Sequence, residues 1–386
     1  MTPGKFNVPR QKAVVWNTPA ADAIMAHMQA EGLSRAVLLS TRSLQDTALL
    51  DGIRRTLGGR LAGEYTQVGA HSPRPAVLAG AAAARDCGAD VILAVGGGSV
   101  VDAAKIVQAC LWADVRDEGG MAALADGTWP TDFDRRAGPR IVAVPTTLSA
   151  AEFTPLAGIT DPARGVKDLY LHPLLVPEIV VLDPAATLYT PEWLLTSTGI
   201  RAMDHATATL CSTGATPYGD AMARAALPML AQGLRGLRRA PDDMEARSRC
   251  LIGAWFAISG PVSGVPVGAS HGIGRVIGAA FGVAHGHTSC VLMPGVLRWN
   301  READDERQAE VAALIGAPGQ EASAAVAALV AELGLPGRLS EVGIDRAAFP
   351  TIVKHAMVML SHPTTAGNQR RVGDERDVEE MLTLCL

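Results

Sequence analysis

Aromatic side chains are scarce in this 386-residue chain, at 4%, and charged residues reach only 19%. The apolar share is 48%, which is ample for a buried interior and excludes an intrinsically disordered chain. With 40 glycines and abundant alanine, that interior is expected to be aliphatic, with helices packed closely. There is no basic block: 34 Lys and Arg against 39 Asp and Glu leave a net charge of -5. Nothing therefore marks a nucleic-acid or anionic-membrane partner, and a small molecule is the expected ligand. No run approaches the about 18 apolar residues of a membrane span, and Met1–Arg10 has no apolar segment behind its charges. A cytoplasmic location is expected. None of the six cysteines forms a C-x-x-C pair, so reduced, mostly buried thiols are expected. No fixed-period repeat is visible, which argues against repeat architectures.

The length exceeds what one hydrophobic core usually organises, so two domains are expected. In the first half, apolar runs at Ala36–Ser40, Val91–Val95, Ile141–Val144 and Ile179–Leu182 alternate with helical stretches at 44–57, 75–87 and about 99–112. A weaker strand is read at 64–68. Continuous β-branched runs separated by helices predict a mostly parallel sheet covered on both faces. After Asp183-Pro184 the strand signal stops and helical segments follow, punctuated by Gly-Pro turns. The expected organisation is an α/β nucleotide-binding domain over 1–186 and an all-α domain over 187–386.

Strand Val91–Val95 runs into Gly96-Gly97-Gly98-Ser99 and then a helix containing Asp102 and Lys105. Glycines permit close approach, and a helix N-terminus carries partial positive charge, so this turn suits a pyrophosphate. The G-x-G-x-x-G spacing is absent. Ser99 and Asp102 also fit a capping box, which needs no ligand, and a solvated role is the ordinary one for Lys105. A second loop, Pro145-Thr146-Thr147 with Ser149, follows the next strand, where hydroxyls either face a ligand crevice or cap a helix. After the first strand, Ser40-Thr41-Arg42 has no carboxylate where a ribose is often held, so both NADH and NADPH are open.

In the helical half Arg201 and His205 share a helix face at four-residue spacing, and His271 and Arg275 repeat it. His285 follows in VAHGH, with His287 beside it as a possible neighbour of the site. Three imidazoles could bind a metal, or be unrelated core and surface residues. His27, His71, His172, His355 and His362 are read as structural or solvated.

The segments GGGSVVDAAK (96–105), PTTLSAAEFT (145–154), KDLYLHPLLVPEIVVLDP (167–184), GIRAMDHA (199–206), HGIGRVIGAAFGVAHG (271–286) and LMPGVLRWN (292–300) stand in one order. Together they resemble the iron-containing alcohol dehydrogenase superfamily, and the PTT-x-S-A-x-E-F-T-P segment is most similar to its maleylacetate reductase branch. The resemblance implies the dehydroquinate synthase-like architecture, with a cleft between its two domains, and a homodimer. Gly96, Gly97, Gly98 and Ser99 would hold the pyrophosphate of NADH or NADPH, supported by Asp102 and Lys105, with Thr41, Thr146 and Thr147 nearby. In metal-dependent members one Asp and three His hold iron or zinc. The histidines fall at His205, His271 and His285, but the aspartate falls at Arg201 and a further, catalysis-linked histidine at Arg275. Arginine stays protonated and offers no lone pair, so no metal is expected. The resemblance thus implies an NAD(P)H-dependent reductase of an anionic carbonyl or enone, such as maleylacetate. Arg201 and Arg275 would bind or polarise oxygens, and a histidine would supply the proton. Two alternatives stay open: a metal-dependent or biosynthetic alcohol dehydrogenase of the same fold, and a nucleotide-binding protein without redox turnover.

Overall fold

Strands that are apolar on both faces persist only where helices cover both sides of the sheet. A computed structural model, describing residues 6, 9–135 and 138–386, shows such a sheet in the unit Pro9–Thr190. Its elements are β1 (Ala13–Trp16), α1 (Ala20–Ala30), β2 (Ala36–Leu39), α2 (Ala48–Leu57), β3 (Leu61–Tyr65), α3 (Arg74–Asp86), β4 (Val91–Gly96), α4 (Gly98–Ala113), α5 (Glu118–Ala125), β5 (Arg140–Pro145), β6 (Leu156–Asp161), β7 (Val166–Leu171) and β8 (Ile179–Leu182). Six strands form a parallel sheet in the order β1-β8-β5-β4-β2-β3, while β6 and β7 pair as a separate antiparallel hairpin. Ile24, Met28, Leu50 and Ile53 of α1 and α2 close one face against Leu38, Leu93, Val95 and Val144. Residues of opposite parity, such as Leu39, meet α3.

The strand order matters for function. β2 has β3 on one side and β4 on the other, so the order reverses between β2 and β4. Open α/β sheets bind ligands outside the carboxyl ends of strands at such a reversal. Thr41 follows β2 and Gly97 follows β4, one on each side of it.

Some local expectations shift. The third strand lies at Leu61–Tyr65, a few residues before 64–68, and the helix expected from residue 44 begins at Ala48 after a 3-10 turn, Arg42–Leu44. β1 and the hairpin are additions. β1 is only four residues long and is defined by pairing with distant β8, which no local period encodes. The hairpin did carry a signal, the Asp161-Pro162…Gly165 turn, in which Gly165 takes a left-handed φ of 64°.

From Pro191 onward the described residues contain no strand. The helices are α6 (Glu192–Leu210), α7 (Pro217–Arg239), α8 (Met244–Val262), α9 (Ala269–Phe281), α10 (His285–Asn300), α11 (Asp305–Leu314), α12 (Ala322–Glu332), α13 (Phe349–Leu360) and α14 (Glu375–Leu384). This unit begins at Pro191, past the boundary at 186 read from composition, and Phe6 belongs to it, stacked on Tyr218. Part of its core joins α9, α10, α13 and α14 through Ile273, Leu292, Ile352 and Met381. Small residues let the helices approach closely. A Cβ on Gly286 of α10 would lie 2.5 Å from Ser197 Oγ of α6, and one on Gly274 of α9 would lie 3.0 Å from Thr288 Oγ1 of α10. All six cysteines are free, and no helix of the described residues is long and apolar enough to cross a membrane.

Candidate active site

In the sheet unit, α4 starts directly after β4 without a side-chain cap. Its first intrahelical bonds run from the Val100 and Val101 amides to the Gly97 carbonyl, leaving the Gly98 and Ser99 amides ahead of the ladder. A helix end left open in this way suits an anion, and it stands at the strand-order reversal. The glycines also answer to packing. A Cβ on Gly97 would sit 3.0 Å from Thr147 Cγ2, and one on Gly98 would sit 2.9 Å from Ser149 Oγ. The turn and the Thr146–Ser149 loop are thus pressed together, with Thr146 and Thr147 both buried.

The capping box is not formed. Ser99 Oγ instead accepts from the His71 amide at 3.1 Å, its carbonyl accepts from Ser72 Oγ, and Asp102 Oδ2 accepts from the Gly158 amide. Nor do Thr147 and Ser149 cap a helix: the next helical turn, Ala151–Phe153, follows Ala150 and has no side-chain cap. Thr41 pairs with Ser43, while Ser40 is buried and donates to the Val95 carbonyl. Among the described residues, three of the five non-glycine positions with left-handed φ, His71, Ser72 and Ala150, belong to the loops packed around this turn. Such backbone persists only where its surroundings over-determine it.

Lys105 supplies much of that determination. It is fully buried rather than solvated, and its Nζ donates to the carbonyls of Ala151 and Leu156 and to Thr154 Oγ1. One ammonium therefore pins the loop after β5 and the start of β6 to α4. Burial lowers the Lys105 pKa to about 8 and raises that of neighbouring Glu152 to about 7. Glu152 Oε2 has no hydrogen-bond partner among the described residues. Between its unfolded value of 4.5 and about 7 the folded state holds the extra proton, so this group lowers stability as pH rises through that window. Glu152→Gln is expected to match wild type near pH 4, below the window, and to exceed it at pH 8 by up to about 3 kcal/mol. Denaturant unfolding at the two pH values reads the difference.

In the helical unit, Arg201, Asp204 and His205 share one face of α6. α9 contributes Ser270, His271 and Arg275, and α10 contributes Ser289. The His205 and His271 rings lie 4.7 Å apart at 32°. Both imidazoles are pushed well below the ordinary histidine pKa, first by burial and then by Arg201, with Arg275 adding to it. They are neutral at pH 7. Burial and the nearby guanidiniums thus disfavour the imidazolium form of both. Neither His271 nitrogen, nor His205 Nδ1, has a hydrogen-bond partner among the described residues. His271 Nδ1 is 3.4 Å from Asp204 Oδ2, but its direction is wrong for a bond.

Arg201 is largely buried, and its Nη1 donates to Ser289 Oγ at 3.0 Å. Burial lowers its pKa to about 10, so it stays cationic at neutral pH. Arg275 is half-buried and has neither a hydrogen bond nor an ion pair among the described residues. His285 stands apart: it is exposed at the start of α10, with Nδ1 near Gly278. His287 packs against Trp193 at 5.4 Å.

Residues 12–184 match the model of the iron-containing alcohol dehydrogenases, and residues 195–384 match that of the Fe-containing alcohol dehydrogenase C-terminal domain. The chain belongs to the iron-containing alcohol dehydrogenase family. Maleylacetate reductase 2 of Cupriavidus pinatubonensis is 32% identical over 307 residues, covering 79% of this chain and 77% of that protein. The probable alcohol dehydrogenase EutG of Escherichia coli is 30% identical over 311 residues, covering 77% and 75%. The crystal structure of maleylacetate reductase from Agrobacterium tumefaciens superposes with a TM-score of 0.83 at 25% identity, covering 100% of this chain and 99% of that one. As a member of this family the protein is an oxidoreductase.

The family name implies iron, and the residues at the corresponding place do not fit it. Two imidazoles meet, but His285 does not join them, and among the described residues no three His, Cys, Asp or Glu side chains form a metal-holding group. The position of the acidic ligand holds a guanidinium, which repels a cation and cannot donate a lone pair. Asp204, three residues on, is engaged by Ser270 and Ser289.

Proposed function

We propose that this family member is an NAD(P)H-dependent reductase of a small anionic carbonyl or enone of the maleylacetate kind, working without a metal ion. The observation that carries the reading is Arg275, a half-buried guanidinium with no partner among the described residues, within electrostatic reach of Arg201 and the paired imidazoles. A buried cation left without an anion is costly unless a ligand supplies one. A carboxylate does so bidentately.

A bound NADH or NADPH supplies the hydride to an electron-poor carbon conjugated with a carbonyl. The Gly96–Ser99 turn and the N-terminus of α4 grip its pyrophosphate. The absence of a carboxylate at Ser40-Thr41-Arg42 supports acceptance of the 2'-phosphate of NADPH. Arg275 holds the substrate carboxylate, and Arg201 stabilises the negative charge that develops on the carbonyl oxygen, the part a metal would otherwise play. The neutral imidazoles of His205 and His271 act as hydrogen-bond donors to that oxygen. The balancing proton comes from solvent. The enzyme is further proposed to act as a cytoplasmic homodimer.

The test follows oxidation of NADH and NADPH by absorbance with maleylacetate and related oxo acids, with and without a chelator. Turnover that a chelator does not change is expected. Turnover confined to simple alcohols with added iron or zinc would overturn the reading, and cofactor binding with no carbonyl reduced would favour a binding protein.

A further inference from the structure

We infer that Asp204 is a positioning residue: through Ser289 it orients the Arg201 guanidinium and balances its charge, leaving Arg275 as the cation free to meet the substrate. The inference rests on the reductase reading and extends it to a residue whose neighbours do not include the reacting atoms.

Asp204 is 2% exposed on α6, and its Oδ2 accepts two hydroxyl bonds, from Ser270 Oγ of α9 at 2.6 Å and from Ser289 Oγ of α10 at 2.7 Å. One carboxylate oxygen thus ties three helices together. The Arg201 Nη1 to Asp204 Oδ2 separation is 4.0 Å, too long for a direct bond, whereas Arg201 Nη1 reaches Ser289 Oγ at 3.0 Å. A serine hydroxyl has one proton to give. Because Ser289 gives it to Asp204, a lone pair is left for the guanidinium, and the direction of the whole chain is set from the carboxylate outward. Without that acceptor the hydroxyl rotates and the guanidinium loses its fixed anchor.

The charges agree with this direction. Burial raises the Asp204 carboxyl above its ordinary value, and Arg201 within Coulomb range and both serine hydroxyls work against that rise, in favour of the carboxylate. Arg275 has no such counter-charge among the described residues. A role confined to holding helices together would not require the chain of bonds to end on a guanidinium.

The test is a double-mutant cycle on the full-length protein, with Asp204→Asn, Arg201→Ala and the pair, read by kcat and KM for the anionic carbonyl and by calorimetric binding of maleate. Asp204→Asn is expected to weaken kcat/KM and maleate affinity by about 10- to 100-fold, with KM for NAD(P)H unchanged. In the Arg201→Ala background the same change is expected to cost nothing more. Equal losses in both backgrounds would show a purely structural role and overturn the inference. Ser289→Ala, which keeps the Asp204–Ser270 bond, should reproduce most of the loss and carries the test if Asp204→Asn does not fold. Wild type that binds maleate but turns over no carbonyl would end the reductase reading while the cycle on maleate still decides this one. Wild type that does neither would end both.

Discussion

Arg275→Ala is expected to lower kcat/KM for an anionic carbonyl by about a hundredfold or more, while the affinity for NADH or NADPH is unchanged. Truncating one partner of a close, poorly solvated charge pair costs about 2–5 kcal/mol, and each 1.4 kcal/mol is a factor of about ten. Here that partner is the substrate's own carboxylate, since Arg275 has none in the described protein. Arg275→Lys should recover only part of the loss, because an ammonium is a point charge without the guanidinium fork. Neutral carbonyls, if reduced at all, should be insensitive to either change. Steady-state kinetics on one anionic and one neutral substrate separate these outcomes. Wild-type kinetics for the anionic substrate in Arg275→Ala would remove the residue from substrate binding.

Lys105→Ala is expected to be the most destabilising single change near the cofactor turn, by about 2–4 kcal/mol. It strands the carbonyls of Ala151 and Leu156 and the Thr154 hydroxyl, all now bonded to one ammonium, and leaves Asp102 and Glu152 without the nearby cation. Part of that cost is offset because burying the ammonium is itself unfavourable, as its pKa lowered to about 8 shows. Lys105→Met restores most of the volume but none of the bonds, and should remain clearly less stable than wild type. Because the same bonds hold the Pro145–Thr154 loop against the glycine turn, cofactor affinity should fall in both variants. Denaturant midpoints and fluorescence titration with NADPH measure the two effects. A Met variant as stable as wild type would mean that the contacts of Lys105 contribute nothing net.

Local pattern determined a large part of this protein. The runs at Ala36, Val91, Ile141 and Ile179 are strands because a short unbroken apolar run has no amphipathic alternative; three begin at those residues, and β5 begins one residue earlier, at Arg140. The glycine turn and the helix behind it are also legible locally, from the strand, three glycines and helix that follow one another over residues 91 to 113. So is the replacement of an acid by Arg201: the chemistry of a guanidinium needs no coordinates.

Tertiary structure decided what spacing could not. Ser99 and Asp102 have the right interval for a capping box, yet β3, β4 and the hairpin bring His71 and Gly158 close enough to take those side chains instead. Lys105 has the sequence context of a surface lysine and becomes the fully buried hub of three bonds, because β6 runs across α4. Of three histidines with metal-site intervals, two meet and one stays exposed, since the crossing of α6, α9 and α10 sets which helix faces converge. The same crossing brings Ser289, far along the chain, between Arg201 and Asp204, and leaves Arg275 unpaired among the described residues. Sequence intervals settle which residues share a helix face, and non-local packing settles what that face meets.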